Sequence, residues 1–266
     1  MSEWPSETTS FWNEVESIVE KSPPSDTFKT DWVVRSVPLY SWKMMSYDTV
    51  YLADVINYLQ MSNGHTKKIC SALRERERGH NQETWENHVF TPTKHLKDVS
   101  VWTIKCFHHW MTLKNMLGHR LLSSYTHIIE VGGGMGESAR VLYDTYGFEN
   151  KRYTIVDLPS ISNYAKRNLE GYPVEFTSDV TTLPIDRNTL VFSTWGLSEI
   201  SLDLRKQILD HCRKADLFVT FQAKIFDIDN RDYFCRKYPS MYNKSITLRE
   251  IPLHTIDGGN FYMLAI

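Results

Sequence analysis

The chain has 266 residues, of which 41% are hydrophobic and 23% charged, enough for one large domain or a core domain with an added lobe. A formal net charge of −2 argues against a general attraction to nucleic acid. Cys70, Cys106, Cys212 and Cys235 are scattered without zinc-ligand spacing, the start "MSEWPSETTSFWNE" is no signal peptide, and no apolar run nears the ~18 residues of a membrane span, so we expect a soluble, cytoplasmic, metal-free protein.

The first half reads as helices joined by irregular segments. "SFWNEVESIVEK" sets Phe11, Val15, Ile18 and Val19 on one stripe, and "SYDTVYLADVINYLQM" opens at Ser46 and stops before Asn63-Gly64. "KKICSALRERERGHNQETWE" is a charged helix. "KDVSVWTIKCFHHWMTLKNMLG" spaces Val99, Trp102, Cys106, Trp110, Leu113 and Leu117 by three and four and closes at Gly118. Every tryptophan except Trp195 lies at or before Trp110. This is the pattern of a helical lobe, residues 1–122, whose aromatic residues form its core or line an acceptor cleft and lid.

From residue 123 strands and helices alternate. "THIIEV", "RYTIVDL", "VEFTSD", "TLVFST" and "DLFVTFQA" read as strands. "ESARVLYDTYG", "SISNYAKRNLEG" (capped by Ser160) and "SLDLRKQILDHCRKA" read as helices. Alternation implies right-handed crossovers and a mostly parallel, doubly wound sheet. "SITLREIPL" and "NFYMLAI", joined by "HTIDGG", break the alternation as a terminal antiparallel pair.

The first strand runs into "GGGMG" and then a helix, which places bare backbone N–H groups where a ligand can approach. A P-loop is excluded, because no Lys-Ser or Lys-Thr follows. Gly134, Gly136 and Ala139 satisfy G-x-G-x-x-[GA], so a dinucleotide fold stays open. Asp157 ends the second strand about 20 residues after the glycines, where a carboxylate accepts both hydroxyls of a ribose.

"EVGGGMG" resembles the first motif of class I S-adenosylmethionine-dependent methyltransferases, an acidic residue followed by G-x-G-x-G, here Glu130, Gly132, Gly134 and Gly136. The resemblance implies that the loop meets the methionine and ribose parts of S-adenosylmethionine and that Glu130 steadies it. It further implies that Asp157 binds the ribose, Leu158 lies on the adenine, and Asp179-Val180 meet the adenine edge. Ser193, at the end of the fourth strand, completes the implied cofactor set. The [DNS]-P-P-[YFW] motif of base-directed enzymes is missing, since Ser193-Thr194-Trp195-Gly196 stands there. "STWGLSEI" and "DLP" instead are similar to the sugar O-methyltransferase group, over roughly residues 125–222. The implied fold is a class I methyltransferase-like α/β domain over 123–266 with an antiparallel last strand beside the fifth.

Transfer to a sugar-type hydroxyl needs alignment and a proton acceptor. Glu199, just past the fourth strand, is the first candidate, although its place also suits the dipole of the 201–214 helix. His109 and then His254 follow, with a buried core histidine the competing reading of His109. Two other functions stay open: a nicotinamide-dependent oxidoreductase, and a non-catalytic methyltransferase-like binding subunit. The acceptor expected is a small molecule or glycan.

Overall fold

The computed structural model describes Asp54, Val55, Asn57, Ile69, and residues 101–148, 151–225, 227–251 and 259–266. Most of the 1–122 region lies outside these residues, including the first expected helix and most of the second and third, as does His254. The described residues fall into two compact units. One lies within Leu113–Gly136 and Asn150–Ile266, the other within Ile18–Thr112 and Glu137–Glu149.

The first unit is built on seven strands: β1 (His127–Val131), β2 (Arg152–Val156), β3 (Val174–Thr177), β4 (Thr189–Thr194), β5 (Asp216–Gln222), and, after two short strands β6 (Lys224–Ile225) and β7 (Ile228–Asp229), β8 (Ile246–Ile251) and β9 (Asn260–Ala265). Their order is β3-β2-β1-β4-β5-β9-β8. Strands β1 to β5 are mutually parallel, and β9 enters antiparallel between β5 and β8. This is a class I methyltransferase-like α/β sheet. The chain leaves β1 toward β2 on one side and returns through β4 on the other, so the carboxyl ends of β1 and β4 flank the topological switch point, where open α/β sheets bind ligands.

Alternation along the strands sorts the two faces. Ile129 and Val131, Val191, Leu217, Val219 and Phe221, and Phe261, Met263 and Ala265 join one buried apolar cluster, which Ile208, Leu209 and Cys212 complete. On the opposite face Phe192, Phe218 and Tyr262 stack in a row, with ring centroids 5.4 and 5.6 Å apart. At the amino edge, buried Asp216 takes Arg120 Nη1 at 2.6 Å and the Tyr125 hydroxyl at 2.8 Å, tying the chain before β1 to β5.

Helix α1 (Val101–Leu117) ends at Gly118 in a left-handed conformation, as its sequence requires, and α2 (Glu137–Tyr146) ends before Gly147 in the same way. Within the second unit, Trp110 is fully buried and its indole N–H donates to the Ser138 carbonyl at 2.8 Å, the core reading of that tryptophan. Helix α3 (Pro159–Asn168) starts with proline in its first turn and with Leu158 at the cap position, so Ser160 is not the cap expected of it. A four-residue turn of helix, α4 (Gly196–Glu199), precedes α5 (Leu202–His211), whose cap Ser201 accepts the Leu204 N–H. A helical run without sequence periodicity follows β7: α6 (Asn230–Asp232), a π-helical turn (Tyr233–Lys237) and α7 (Tyr238–Tyr242). No helix of the described residues is long and apolar enough to cross a membrane.

Candidate functional site

The glycines after β1 divide the work between packing and access. Gly132, Gly134 and Gly136 all have positive φ, the region that glycine occupies without strain. A Cβ on Gly132 would lie 2.7 Å from the Cα of Gly196, and one on Gly196 would lie 2.5 Å from the Val131 carbonyl oxygen. The two chains after β1 and β4 therefore touch backbone to backbone at the switch point. A Cβ on Gly136 would strike Leu169, whereas one on Gly134 would meet nothing within 4 Å among the described residues. Gly134 is the open point of the loop.

Carboxylates hold the loop from beneath and from the side. Glu130 is buried in β1, and Tyr153 donates its hydroxyl to Oε2 at 2.8 Å. That oxygen would lie 3.1 Å from a Cβ on Gly133, so the side chain supports the loop from below. Asp157 Oδ2 accepts the Gly134 N–H at 2.7 Å, and Oδ1 accepts the Leu158 N–H at 2.7 Å. Burial pushes the Asp157 carboxyl up to about 6, against the pull of these two N–H bonds toward the ionised form. The carboxylate has lone pairs beyond those two bonds, and the residue is only half-buried. Leu158, also half-buried, stands beside it.

Three residues assigned to the cofactor set have structural employment. Asp179 is exposed and caps the short turn Val180–Thr182, with Oδ1 accepting both the Thr181 N–H at 2.9 Å and its hydroxyl at 2.6 Å. These bonds hold the Asp179 carboxyl below its usual range. Val180 belongs to the apolar cluster of the sheet. Ser193 is fully buried: its Oγ donates to the Val131 carbonyl at 2.8 Å and accepts the Leu197 N–H at 2.9 Å. It clips the end of β1 to the turn after β4, a task that fits a positioning residue better than a ligand contact.

The sequence motif "STWGLSEI" marked the turn after β4 but not how that turn is held. Trp195 holds a positive φ of 77°, a conformation costing about 1–3 kcal/mol in a non-glycine residue. Its N–H donates to the Thr220 carbonyl at 3.1 Å, and its carbonyl receives the Ser198 N–H at 2.8 Å and hydroxyl at 2.6 Å. Leu197, Ser198 and Ile200 point inward and are buried, while Trp195, Gly196 and Glu199 keep partial exposure. Buried Asn230 and Arg205, neither singled out by sequence, both reach the carbonyl of Ser198. Neither has a sequence signature, because each acts on backbone and belongs to no spaced motif.

His109 lies in the second unit and is buried. Burial, then the nearby Lys105 and His108, push its imidazole well below the usual histidine range, which leaves it neutral and weakly basic. Its neighbour His108 places Nε2 3.0 Å from Asp54 Oδ2. Among the described residues no group of His, Cys, Asp and Glu is arranged to hold a metal ion.

No family model matches the chain, and no curated protein does either. Several solved structures are similar at low identity. An S-adenosylmethionine-dependent methyltransferase from Aquifex aeolicus is 18% identical, with a TM-score of 0.40 over 53% of this chain and 81% of that one. Magnesium protoporphyrin IX methyltransferase from Synechocystis PCC 6803, solved with bound S-adenosylmethionine, is 12% identical, with a TM-score of 0.42 over 74% and 96%. An O-methyltransferase family protein from Burkholderia thailandensis is 14% identical, with a TM-score of 0.39 over 70% and 62%.

Proposed function

We propose that the chain is an S-adenosylmethionine-dependent O-methyltransferase acting on a hydroxyl of a sugar or glycan-type small molecule. The observation that carries this reading is the bond between the Asp157 carboxylate and the N–H of Gly134, the open glycine of the loop after β1, at the switch point of the sheet. A carboxylate ending β2 beside an unobstructed glycine fits a nucleoside whose ribose lies across that edge. An antiparallel strand between β5 and β8 distinguishes this sheet from the dinucleotide order, in which the sixth strand continues parallel, and disfavours the nicotinamide reading.

The residues fit the cofactor as follows. Asp157 would accept the ribose hydroxyls, Gly134 would leave room for the chain carrying the sulfonium, and Leu158 would cover the base. Glu130, Gly132 and Gly136 hold the loop in the required shape, and Ser193 pins that loop to β4. Asp179 and Val180 bound the far side through their capped turn. The bound sulfonium would supply an activated methyl group. Glu199, half-exposed at the end of α4, would take the proton of the acceptor hydroxyl as the new O–CH₃ bond forms. His109, with its basicity cut by burial, is the weaker candidate.

The reading is tested by transfer of a radiolabelled methyl group from S-adenosylmethionine to a panel of sugars and phenols. Glu199→Gln should lower turnover roughly 10²–10⁴-fold while cofactor affinity stays within about twofold. Full turnover in this variant would remove Glu199 from the chemistry, and transfer confined to phenols would remove the sugar hydroxyl.

A further inference from the structure

Arg205 has no exposed surface and, among the described residues, no carboxylate partner. A guanidinium taken out of water without a counter-charge is costly, and core residues of similar volume commonly do better in its place. What compensates here is unusually local. Nη2 donates to the carbonyls of Ser198 at 3.0 Å and Ile200 at 3.3 Å, the residues on either side of Glu199. The guanidinium also lies over the rings of Tyr233 and Phe234, at 4.7 and 5.0 Å from their centroids, in the π-helical turn. Asn230 Nδ2 meets the same Ser198 carbonyl at 3.1 Å. Meanwhile Arg205 Nε and Nη1, Asn230 Oδ1 and the Tyr233 hydroxyl are buried without a hydrogen-bond partner among the described residues. Burial brings the guanidinium down to about 10, against the opposing pull of Tyr233.

We propose that Arg205, assisted by Asn230, is a positioning residue for the acceptor: it holds the two carbonyls that flank Glu199 and thereby fixes where that carboxylate points. The inference rests on the methyltransferase reading above, because it assigns the held carboxylate a substrate. It also gives the segment after β7 a role, since the π-helical turn supplies the rings that keep the guanidinium in place. π-helical turns in general cluster at functional sites.

The test compares Arg205→Met and Arg205→Lys in the full chain by thermal unfolding, calorimetry with S-adenosylmethionine, hydrogen exchange of the 195–200 amides, and methyl transfer to the same panel. Arg205→Met should unfold at an unchanged or higher temperature, as buried charges replaced by apolar side chains often do. Its 195–200 amides should exchange roughly tenfold faster while cofactor affinity stays within about twofold. Its kcat should fall roughly tenfold or more with the acceptor KM little changed, since a misdirected base costs rate and not binding. Arg205→Lys should recover part of both the protection and the rate. A lowered unfolding temperature with unchanged exchange at 195–200 would make the guanidinium ordinary packing and overturn the proposal. Faster exchange with an unchanged kcat would overturn it too. Should the wild type bind no S-adenosylmethionine, the methyltransferase reading fails and the positioning role falls with it. If it binds the cofactor and methylates nothing in the panel, unchanged exchange in Arg205→Met overturns the clamp, and accelerated exchange upholds it.

Discussion

The loop after β1 and the turn after β4 meet at a single point, Gly132 against Gly196, and are built by opposite means. The first is nearly all backbone: it keeps its shape because glycine allows positive φ and close approach, and it leaves Gly134 bare. The second contains a strained Trp195 and is held by side chains from elsewhere, Ser193 below, Arg205 and Asn230 behind. A loop that must admit a rigid, common ligand can be specified by small residues alone. A turn that must aim one side chain needs outside support.

Changing Gly132 should have the largest effect, because it destroys the meeting point. Gly132→Ala puts a Cβ 2.7 Å from the Cα of Gly196 in a left-handed conformation, and neither backbone can yield cheaply. Destabilisation of roughly 2–5 kcal/mol is expected from strain and overpacking, read by denaturant unfolding. Gly134→Val sharpens the contrast. Among the described residues nothing lies within 4 Å of the added Cβ, so the protein should still fold, with a loss of about 1–3 kcal/mol from strain, yet cofactor binding should disappear. Equal stability losses at the two positions would dissolve the distinction between the packed glycine and the open one.

Ser193→Ala cuts the clip between the two loops. It leaves the Leu197 N–H and the Val131 carbonyl without that hydroxyl in a buried place, for an expected loss of about 1–3 kcal/mol in denaturant unfolding. Its cofactor affinity should fall only modestly if Ser193 positions the loop, and sharply if the hydroxyl itself touches the ligand.

These contrasts also explain what could be read before the structure. The strand and helix succession, the antiparallel last strand and the glycine C-caps were legible because each has a local, periodic or conformational signature. So was the placement of Glu130, the glycines and Asp157 at the carboxyl ends of β1 and β2, since they lie in one short stretch and at the end of the next strand. The helical run after β7 was not, since "DYFCRKYPSMY" packs through aromatic residues with no helical period, and a π turn has no simple spacing rule. Arg205 is one of several cations in "SLDLRKQILDHCRKA", and only the fold brings it to the Ser198 and Ile200 carbonyls. Val180 and Ser193 were expected at the cofactor edge, and the packing and bridging they perform had no signature, because these depend on neighbours far away in sequence.

The smallest expected effect is that of pH on the first loop. With its carboxyl at about 6, Asp157 is increasingly protonated below that value. An ionised carboxylate is the better acceptor for two hydroxyls, so cofactor affinity should rise as pH increases from 5 to 7 and level off above. In the same range binding should release protons, measurable by calorimetry in buffers of different ionisation enthalpy. The unliganded protein should show the opposite sign for this group. Its folded carboxyl holds a proton that the unfolded one, near 3.8, has lost, so this contribution to stability fades as pH rises through 6. An affinity flat across pH 5 to 7 would place Asp157 outside the ligand's contacts.

The most direct measurement is calorimetric titration of S-adenosylmethionine, with a nicotinamide dinucleotide alongside, into the wild type and Asp157→Ala. The wild type should bind S-adenosylmethionine at one site and the dinucleotide not at all. Asp157→Ala, still folded, should bind it roughly 5- to 150-fold more weakly, the cost of leaving two ribose hydroxyls without their acceptor at about 1–3 kcal/mol. Unchanged affinity in the folded variant, or preferential binding of the dinucleotide, would contradict the account.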